Sequence, residues 1–533
     1  MLIAYQGFSC FITNDFGAVA DGKAGFFYRQ TRFLARLQVK VNGSTPSCAS
    51  GNTVDANSMI FYHLAPSPAG RRAGPDSDNP ADDGGEMVRQ GLELQVNAFV
   101  EGGLHLKVVL TNHTLAKAPV ELSWELAADY ADHQEVQSGE RCQEAPVEQD
   151  WTSDDHGGVL SFRYAHLHLD HAPRVRFSGA GAGFGYRDGL VRYMTVRKSH
   201  TPVRLSVDVI PVFCGHAIPP AYGGDAFRAR ATEQDEARAH WAEAATRLST
   251  PVAMVQRAWD RAACDLGSLF LLEGNGPERY MPAAGIPEYQ ALFGRDSLMT
   301  AGQCGLLGPD MLRGTLLTLR RWNATAYDDR YDEQPGKIVH QHQRSPLALL
   351  GKTPFRHYYG DYTAPALFRI DLASDFAWTG DVGLIRSTDE EITRTLTWMD
   401  RDGDLDSDGW YEYQTRAGNW GIKNQGWKDS AQAILYPDGR TVPDPIALIA
   451  IQGAYYAAKR LMGLAYRAIG EAARGTALLE QAAALKRRVN EHFWLPDEQY
   501  VALALDPDKK PVRTIAGDPG QALIYGVLER DKA

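Results

Sequence analysis

Two periods of hydrophobic placement divide the chain. From its start to about Cys214, apolar residues alternate with polar ones: Leu37, Val39 and Val41 in "RLQVKVNG", Leu104, Leu106 and Val108 in "GLHLKVVLTN", Val120, Leu122, Trp124 and Leu126 in "VELSWEL", and Val203, Leu205, Val207 and Val209 farther on. Alternation sends successive side chains to opposite faces of a strand. Clusters of Gly, Asn, Asp and Pro between the runs supply hairpin connections. The pattern predicts a β-sandwich over residues 1–220. After it, apolar residues recur at helical spacing in "VAMVQRAWDRAACDLGSLFLL", "MLRGTLLTLRRW", "DLASDFAWTG", "VGLIRSTDEEITRTLTWM", "PIALIAIQGAYYAAKRLMGLAYRA" and "EAARGTALLEQAAALKRRVNEHF", with no long strands between them. An α-helical domain is expected over residues 251–533, preceded by a linker helix within 221–250 that Thr232 and Asp235 open as a capping box.

The connections discriminate between helical architectures. A solenoid repeats at a fixed period, and none is present here. Instead, long irregular loops crowded with Asp, Trp, Tyr, Arg and His follow the helices: "YQALFGRDS", "AYDDRYDEQPGKIVHQHQR", "HYYGDYTAP" and "DRDGDLDSDGWYEYQTRAGNWGIKNQGWKDS". Loops of such length and chemistry usually carry function. A closed helical toroid would gather them at one end, around one pocket. The stretch Ser67 to Gly85, rich in Gly, Pro and Asp, reads as a mobile loop inside the β-domain; the domain boundary is expected between Gly215 and Phe227, where the period changes.

Composition narrows the function classes. A hydrophobic share of 44% and a charged share of 23% over 533 residues belong to a globular protein of two or more domains. The first residues lack the basic head and apolar run of a secretory signal, and no apolar run has membrane-spanning length, so a cytoplasmic location is expected. Six scattered cysteines without a C-x-x-C pair indicate neither a disulfide framework nor a zinc site. A net charge of -11 without a basic stripe argues against nucleic acid and anionic lipid as partners.

Carbohydrate is the ligand whose chemistry matches the loops. Asp, Arg, Gln and Lys hydrogen-bond sugar hydroxyls, and Trp and Tyr stack on the apolar faces of a pyranose. Cleaving a glycosidic bond needs a protonated carboxylic acid at the leaving oxygen and a second carboxylate. Partial burial against an aromatic ring favours the protonated form. Asp429 stands two residues from Trp427 in "NQGWKDS" and could have such surroundings, opposed by Lys428 if its ammonium points inward. Asp296, in "FGRDS", is the second candidate; its plain reading is an N-cap, with Ser297, of the helical run that follows.

Taken in order, "GIPEYQALFGRDSLMTAG", "YDEQPGKIVHQ", "YYGDYTAPALF", the "WTGD" of Trp378 to Asp381, "DSDGWYEY", "NQGWKDS" and "IQGAYYAA" resemble the bacterial glycogen-debranching-like, amylo-α-1,6-glucosidase family. "GFFYRQTRFLARLQVKVNG" looks like the start of its β-rich N-terminal domain. The resemblance implies an (α/α)6 toroid related to glucoamylases, hydrolysing α-glycosidic bonds of an α-glucan or small α-glucoside with inversion and without a cofactor. It implies that Arg295 and Asp296 grip the terminal sugar, that Asp429 is the general acid, and that Trp427, as a wall of the sugar site, and Lys428 are substrate-binding residues. Tyr331, Asp332, Tyr359 and Asp361 are expected to line the same mouth, with His340 as a sugar hydrogen-bonding group.

The chain also departs from the family pattern. His340-Gln341 stands where His-Glu is usual, and Ala450 and Ile451 precede Gln452 where a Glu is usual. Helices are fewer than a complete toroid needs, and the general base is expected beyond Ala533, so the toroid is read as incomplete.

Two further groups, the aspartates after Arg401 and the histidines from His166 to His171, are read as structural, whereas His342 is left open to a sugar hydrogen bond. Asp402, Asp404, Asp406 and Asp408, with Gly409 and Glu412, resemble a calcium loop but are read as short of its full spacing, and turn chemistry accounts for them; no metal is expected. His166 and His168 alternate with Leu and are read as a solvated strand face, with His171 nearby. His342 shares a pocket loop with His340. The rival functions are a non-catalytic carbohydrate-binding protein or inactive truncated homologue, and a helical protein-interaction scaffold, against which the polar loops argue. The pattern leaves the oligomeric state open.

Overall fold

The computed structural model describes residues 1–20, 22–67, 88–179, 183–222, 232–272 and 276–533. The Gly-, Pro- and Asp-rich stretch expected to be a mobile loop lies, after Ser67, outside the described residues, as does part of the expected boundary. The chain forms two units: Met1–Glu236 with Gly285–Gln290 and Arg344–Lys352, and Ala237–Ala284 with Ala291–Gln343 and Thr353–Ala533.

The first unit is mostly β. Its largest sheet runs in the order Val147–Asp154, Gly157–Tyr164, His171–Gly179, Val203–Phe213, Gly103–Asn112, Val88–Glu101, Ser58–Ser67 and Ser47–Asp55, all antiparallel, with His216–Ala217 beside Val203–Phe213. A second sheet orders Phe184–Arg187, Leu190–Arg197, Ala118–Ala127 and Arg36–Val41, and a third holds the four strands between Leu2 and Leu34. The alternation read from the sequence decides the faces. Leu104, Leu106, Val108, Val120, Leu122, Trp124, Val203, Leu205, Val207 and Val209 all enter one buried core, each large side chain contributing about 1.5–3 kcal/mol by leaving water.

Two short segments from farther along the chain complete this unit. Asp132 caps the helix His133–Ser138 in a reciprocal capping box with Glu135, and its second oxygen accepts the Leu347 N–H at 2.8 Å. Gln290 donates to the carbonyls of Gly7 and Ser9.

One expected strand is absent. The strand carrying Phe162 ends at Tyr164, and His166 to Leu169 form a tight turn with Leu167 94% exposed. The His-Leu alternation is therefore turn sequence, not a strand face. His171, on the next strand, is buried against Phe213, and burial pulls its imidazole down to about 4.

The second unit is helical: Ala253–Ser268, Gly294–Gln303, Asp310–Arg320, Ala364–Thr379, Asp389–Arg401, Ile449–Ala468, Ala472–His492 and Pro519–Tyr525 are its principal described helices. The strands among these are two-residue bridges. Ile449–Ala468 is the central element, packed against Ala364–Thr379, Ala472–His492 and Pro519–Tyr525. It meets Ala472–His492 at a glycine pair: a Cβ on Gly463 would stand 2.9 Å from the Gly475 carbonyl oxygen, so the two backbones approach too closely for a larger residue. The helix Glu233–Ala244 opens as expected, with Thr232 and Asp235 exchanging side-chain-to-backbone hydrogen bonds at 3.0 and 3.2 Å. No helix among the described residues is long and apolar enough to cross a membrane.

Candidate active site

The site grows from a short backbone pairing. Leu292–Phe293 pairs antiparallel with Gln341–His342, and Gly294 N–H donates to the His340 carbonyl at 2.8 Å. A Cβ on Gly294 would lie 2.0 Å from the Val339 carbonyl oxygen, so the pairing requires glycine before Arg295. The helix Gly294–Gln303 starts there. Its cap is Phe293, without a side-chain bond. Asp296 is thus in the first turn, a half-buried carboxylate rather than the expected N-cap, and Ser297 instead donates to the Pro282 carbonyl at 2.8 Å. An acidic residue in a first turn is favoured by the helix dipole.

Arg295 is 4% exposed and organises what surrounds it. One guanidinium nitrogen meets Asp361 at 2.9 Å and the Gly426 carbonyl; the other meets Asp429 at 3.2 Å. Burial would lower the guanidinium's pKa, but Asp361, Asp296 and Asp429 together raise it, so Arg295 stays charged. Asp361 is fully buried, and one oxygen accepts the backbone N–H groups of Thr363 and Ala364 at 2.6 and 2.9 Å, which starts the helix Ala364–Thr379. Burial pushes its carboxyl up; Arg295, His340 and the Ala364 N–H outweigh that and hold it below the usual carboxylate range. His340 Nδ1 lies 3.2 Å from Asp361, and Nε2 lies 3.9 Å from Asp429.

The heptapeptide Asn424–Ser430 is clamped at nearly every position. Asn424 accepts from the Tyr413 hydroxyl at 2.8 Å and donates to the Ser430 carbonyl at 2.7 Å, closing the loop on itself. Gln425 donates to Asp332 at 3.0 Å, and its carbonyl accepts the Tyr362 N–H at 2.9 Å. Lys428 pairs with the buried Asp518 at 2.7 Å. Its ammonium therefore does not point at Asp429, which answers the concern raised by their adjacency. Asp429 keeps 44% of its side chain exposed, beside the Arg295 guanidinium and the His340 ring. The expected burial against the Trp427 ring is not observed: Trp427 is 40% exposed, with Lys428 above its ring.

The other expected residues divide by depth. Asp332 does not line a mouth. It is fully buried, with φ of 53°, and its carboxylate accepts from the Tyr358 hydroxyl at 2.7 Å, Thr415 at 2.9 Å, Gln425 at 3.0 Å and the Arg416 N–H. Its acceptor positions are filled by protein, so it is a knot joining three loops. Lys337 lies beneath it, buried, donating to the Asp332 carbonyl at 3.0 Å and facing the rings of Tyr362 and Trp398; burial pulls its ammonium down to about 8. Tyr359 is buried, and its N–H donates to the Tyr331 carbonyl at 2.9 Å. Tyr331 is half-buried with its ring 4.4 Å from that of His357. His342 leaves the cluster: its ring packs 4.2 Å from Trp322.

The two departures from the family pattern have structural places. Gln341 is buried in the pairing with Phe293. Gln452 is fully buried and bonds both the N–H and the carbonyl of Tyr411, at 3.2 and 2.6 Å. Gln425 and Asp518 are participants that sequence reasoning missed. Gln425 stood inside the motif, and Asp518 precedes a Pro-Gly pair at the start of a helix, a pattern that reads as capping alone.

Residues 5–207 match the family described as the N-terminal domain of (some) glycogen debranching enzymes. No curated protein matches the chain. Among solved structures, a protein designated a kojibiose phosphorylase, from human microbiome, aligns with a TM-score of 0.48 and 7% identity, covering 94% of this chain and 65% of its own. A bacterial glucoamylase complexed with acarbose aligns with a TM-score of 0.45 and 8% identity, over 92% of this chain and 66% of its own. A GH78 family rhamnosidase of Bacillus sp. GL1 aligns at 0.36 and 12%, over 76% and 39%. The chain thus spans two thirds or less of the length of these solved proteins.

Proposed function

We propose that the protein acts on α-glucosidic bonds in the manner of a glycogen-debranching glucosidase, with a helical unit of the (α/α)6 class and with Asp429 as the general acid of an inverting hydrolysis. The reading rests on one observation above the rest: Asp429 is the carboxylate that stays open to solvent in a cluster whose other members, Arg295, Asp361 and His340, are buried and mutually paired. Such a cluster is rigid before a ligand arrives, which is what orientation of a reacting group requires. The match of residues 5–207 to the N-terminal domain of some glycogen debranching enzymes supports an α-glucan or small α-glucoside as the substrate class of this reading.

In this reading a terminal glucose stacks on Trp427, and Asp296 and the Arg295 edge take its hydroxyls. Asp429 gives its proton to the glycosidic oxygen. Asp361, Asp332 and Asp518 are each committed to protein partners, so none of them is assigned as the base that activates water. Tyr331 is assigned to the next sugar.

A second reading, sugar binding without turnover, is favoured by the ion pair between Arg295 and Asp429. The two part on a single experiment with an α-1,6-linked glucosyl oligosaccharide. Titration calorimetry reports binding in both cases; proton NMR of the product reports free glucose, initially as the β-anomer, only if hydrolysis with inversion occurs. Binding with no released glucose selects the second reading, and absence of both overturns the sugar assignment.

A further inference from the structure

The loop that follows the helix Asp389–Arg401 gathers acidic groups away from Asp429. Oxygen atoms of Asp404, Asp406 and Asp408 lie within 4.8 Å of one another. The spacing was read above as short of a calcium loop; it is in fact D-x-D-x-D-G through Gly409, with Glu412 following. Turn chemistry does account for Asp404, whose two oxygens accept the N–H groups of Asp408 at 3.1 Å and Gly409 at 2.8 Å. It does not account for Glu412. That side chain is fully buried, and no N–H group of the turn donates to either carboxylate oxygen. A buried carboxylate without donors is strongly disfavoured unless a cation faces it.

The cation that faces it comes from a different part of the chain. Lys509 sits at the tip of the hairpin between Ala504–Leu505 and Pro511–Val512, and its ammonium is in ion-pair contact with Glu412 and lies 3.1 Å from Asp406 and 3.3 Å from Asp408. The tip is held in place. Lys509 has φ of 61° and donates its N–H to the Asp506 carbonyl at 2.8 Å, while the Asp506 side chain accepts the N–H groups of Asp508 and Lys510 and the Tyr436 hydroxyl.

We propose that the Lys509 ammonium is a tethered substitute for a divalent cation, seated among Asp406, Asp408 and Glu412 where a hard ion would otherwise sit, so that the loop folds without metal and becomes a calcium site once the ammonium is removed. A compact ammonium on a flexible stem can take the place of such an ion, and clustered carboxylate oxygens suit calcium. The inference is independent of the reading of Asp429.

The experiment compares the full chain with Lys509→Gln, using calcium alone and terbium as its luminescent analogue, with Trp410 beside Gly409 as sensitiser. The wild-type protein is expected to show no saturable calcium heat at millimolar concentration, no sensitised terbium emission, and the same Tm in EDTA and in calcium. Lys509→Gln is expected to bind one calcium ion per chain with Kd on the order of 10⁻⁵ to 10⁻³ M, the range of sensor and extracellular loops. Its Tm should fall in EDTA and recover in calcium. Calcium binding by the wild-type loop as tight as that of the variant overturns the proposal. So does a folded variant that binds none. A variant that folds only with calcium supports it, and one that folds in neither medium overturns it, because calcium is held to replace the ammonium.

Discussion

The loops Asp402–Glu412, with five carboxylates, and Asn424–Ser430, with one, each set carboxylate against a basic side chain from elsewhere in the chain, yet they finish with opposite surfaces. Around Lys509 the buried Glu412 and its neighbours Asp406 and Asp408 face a compact ammonium. Around Arg295 the planar fork reaches inward to Asp361 with one nitrogen and outward to Asp429 with the other, and Asp429 and Trp427 keep an open face. A guanidinium presents fixed, divergent donors, whereas an ammonium is a point charge that ligands surround. The comparison teaches that acid content alone does not mark a reactive loop. In the proposed function, what marks it is a carboxylate held by a buried partner and still reachable from solvent.

The largest expected effect comes from removing the fork. Arg295→Met strands Asp361 without its counter-ion in a buried place, and a loss of about 3–5 kcal/mol of stability is expected in denaturant titration; a loss below about 1 kcal/mol would mean that the cluster is not organised by Arg295. Asp361→Asn sharpens the same point through pH. Because the folded carboxyl is held below its ordinary value, it binds fewer protons than the unfolded one. It therefore adds stability that is fully present above the unfolded value of about 3.9 and is lost as pH falls through the folded one. The acid limb of wild-type unfolding should be steeper than that of Asp361→Asn, and equal limbs would contradict the pairing.

Asp371 lies on the same helix as the segment that Asp361 starts, but without a cation. Burial alone raises its carboxyl well above the ordinary value, and one of its oxygens has no hydrogen-bond donor. Here the native state binds more protons than the unfolded one, so stability is highest below the unfolded value and declines as pH rises through the folded value. Asp371→Asn is expected to flatten that decline and to gain on the order of 1 kcal/mol at neutral pH; a loss there would point to a bond that the carboxylate makes. The smallest effect belongs to Trp427→Ala, which should leave stability within about 0.5 kcal/mol, as at other exposed positions, while weakening sugar binding.

The β unit was legible because burial on one face imposes period two on the residues themselves: Leu122 and Trp124 are inward for the same reason that they alternate with Ser123 and Glu125. The exception is instructive. His166, Leu167 and His168 alternate as well, but a turn produces the same letters while leaving Leu167 and His168 both exposed. In the helical unit, spacing disclosed the helices and loop composition disclosed where polar chemistry concentrates. It could not disclose depth. Asp332, Asp361 and Asp429 are the same residue type in similar loops, and only the partners brought from elsewhere in the chain decide that the first is a knot, the second a counter-ion and the third an open group. Lys509 was silent for the same reason, since nothing near it in sequence announces the carboxylates it meets.

The central claim, that Asp429 is the acid of a glucoside-cleaving site, is tested most directly by the turnover of Asp429→Asn on an α-1,6-linked glucosyl oligosaccharide beside that of the wild-type protein. With a fold unchanged by circular dichroism, kcat should fall by about a hundredfold to ten-thousandfold while the sugar still binds. Equal turnover in the two proteins would contradict the account.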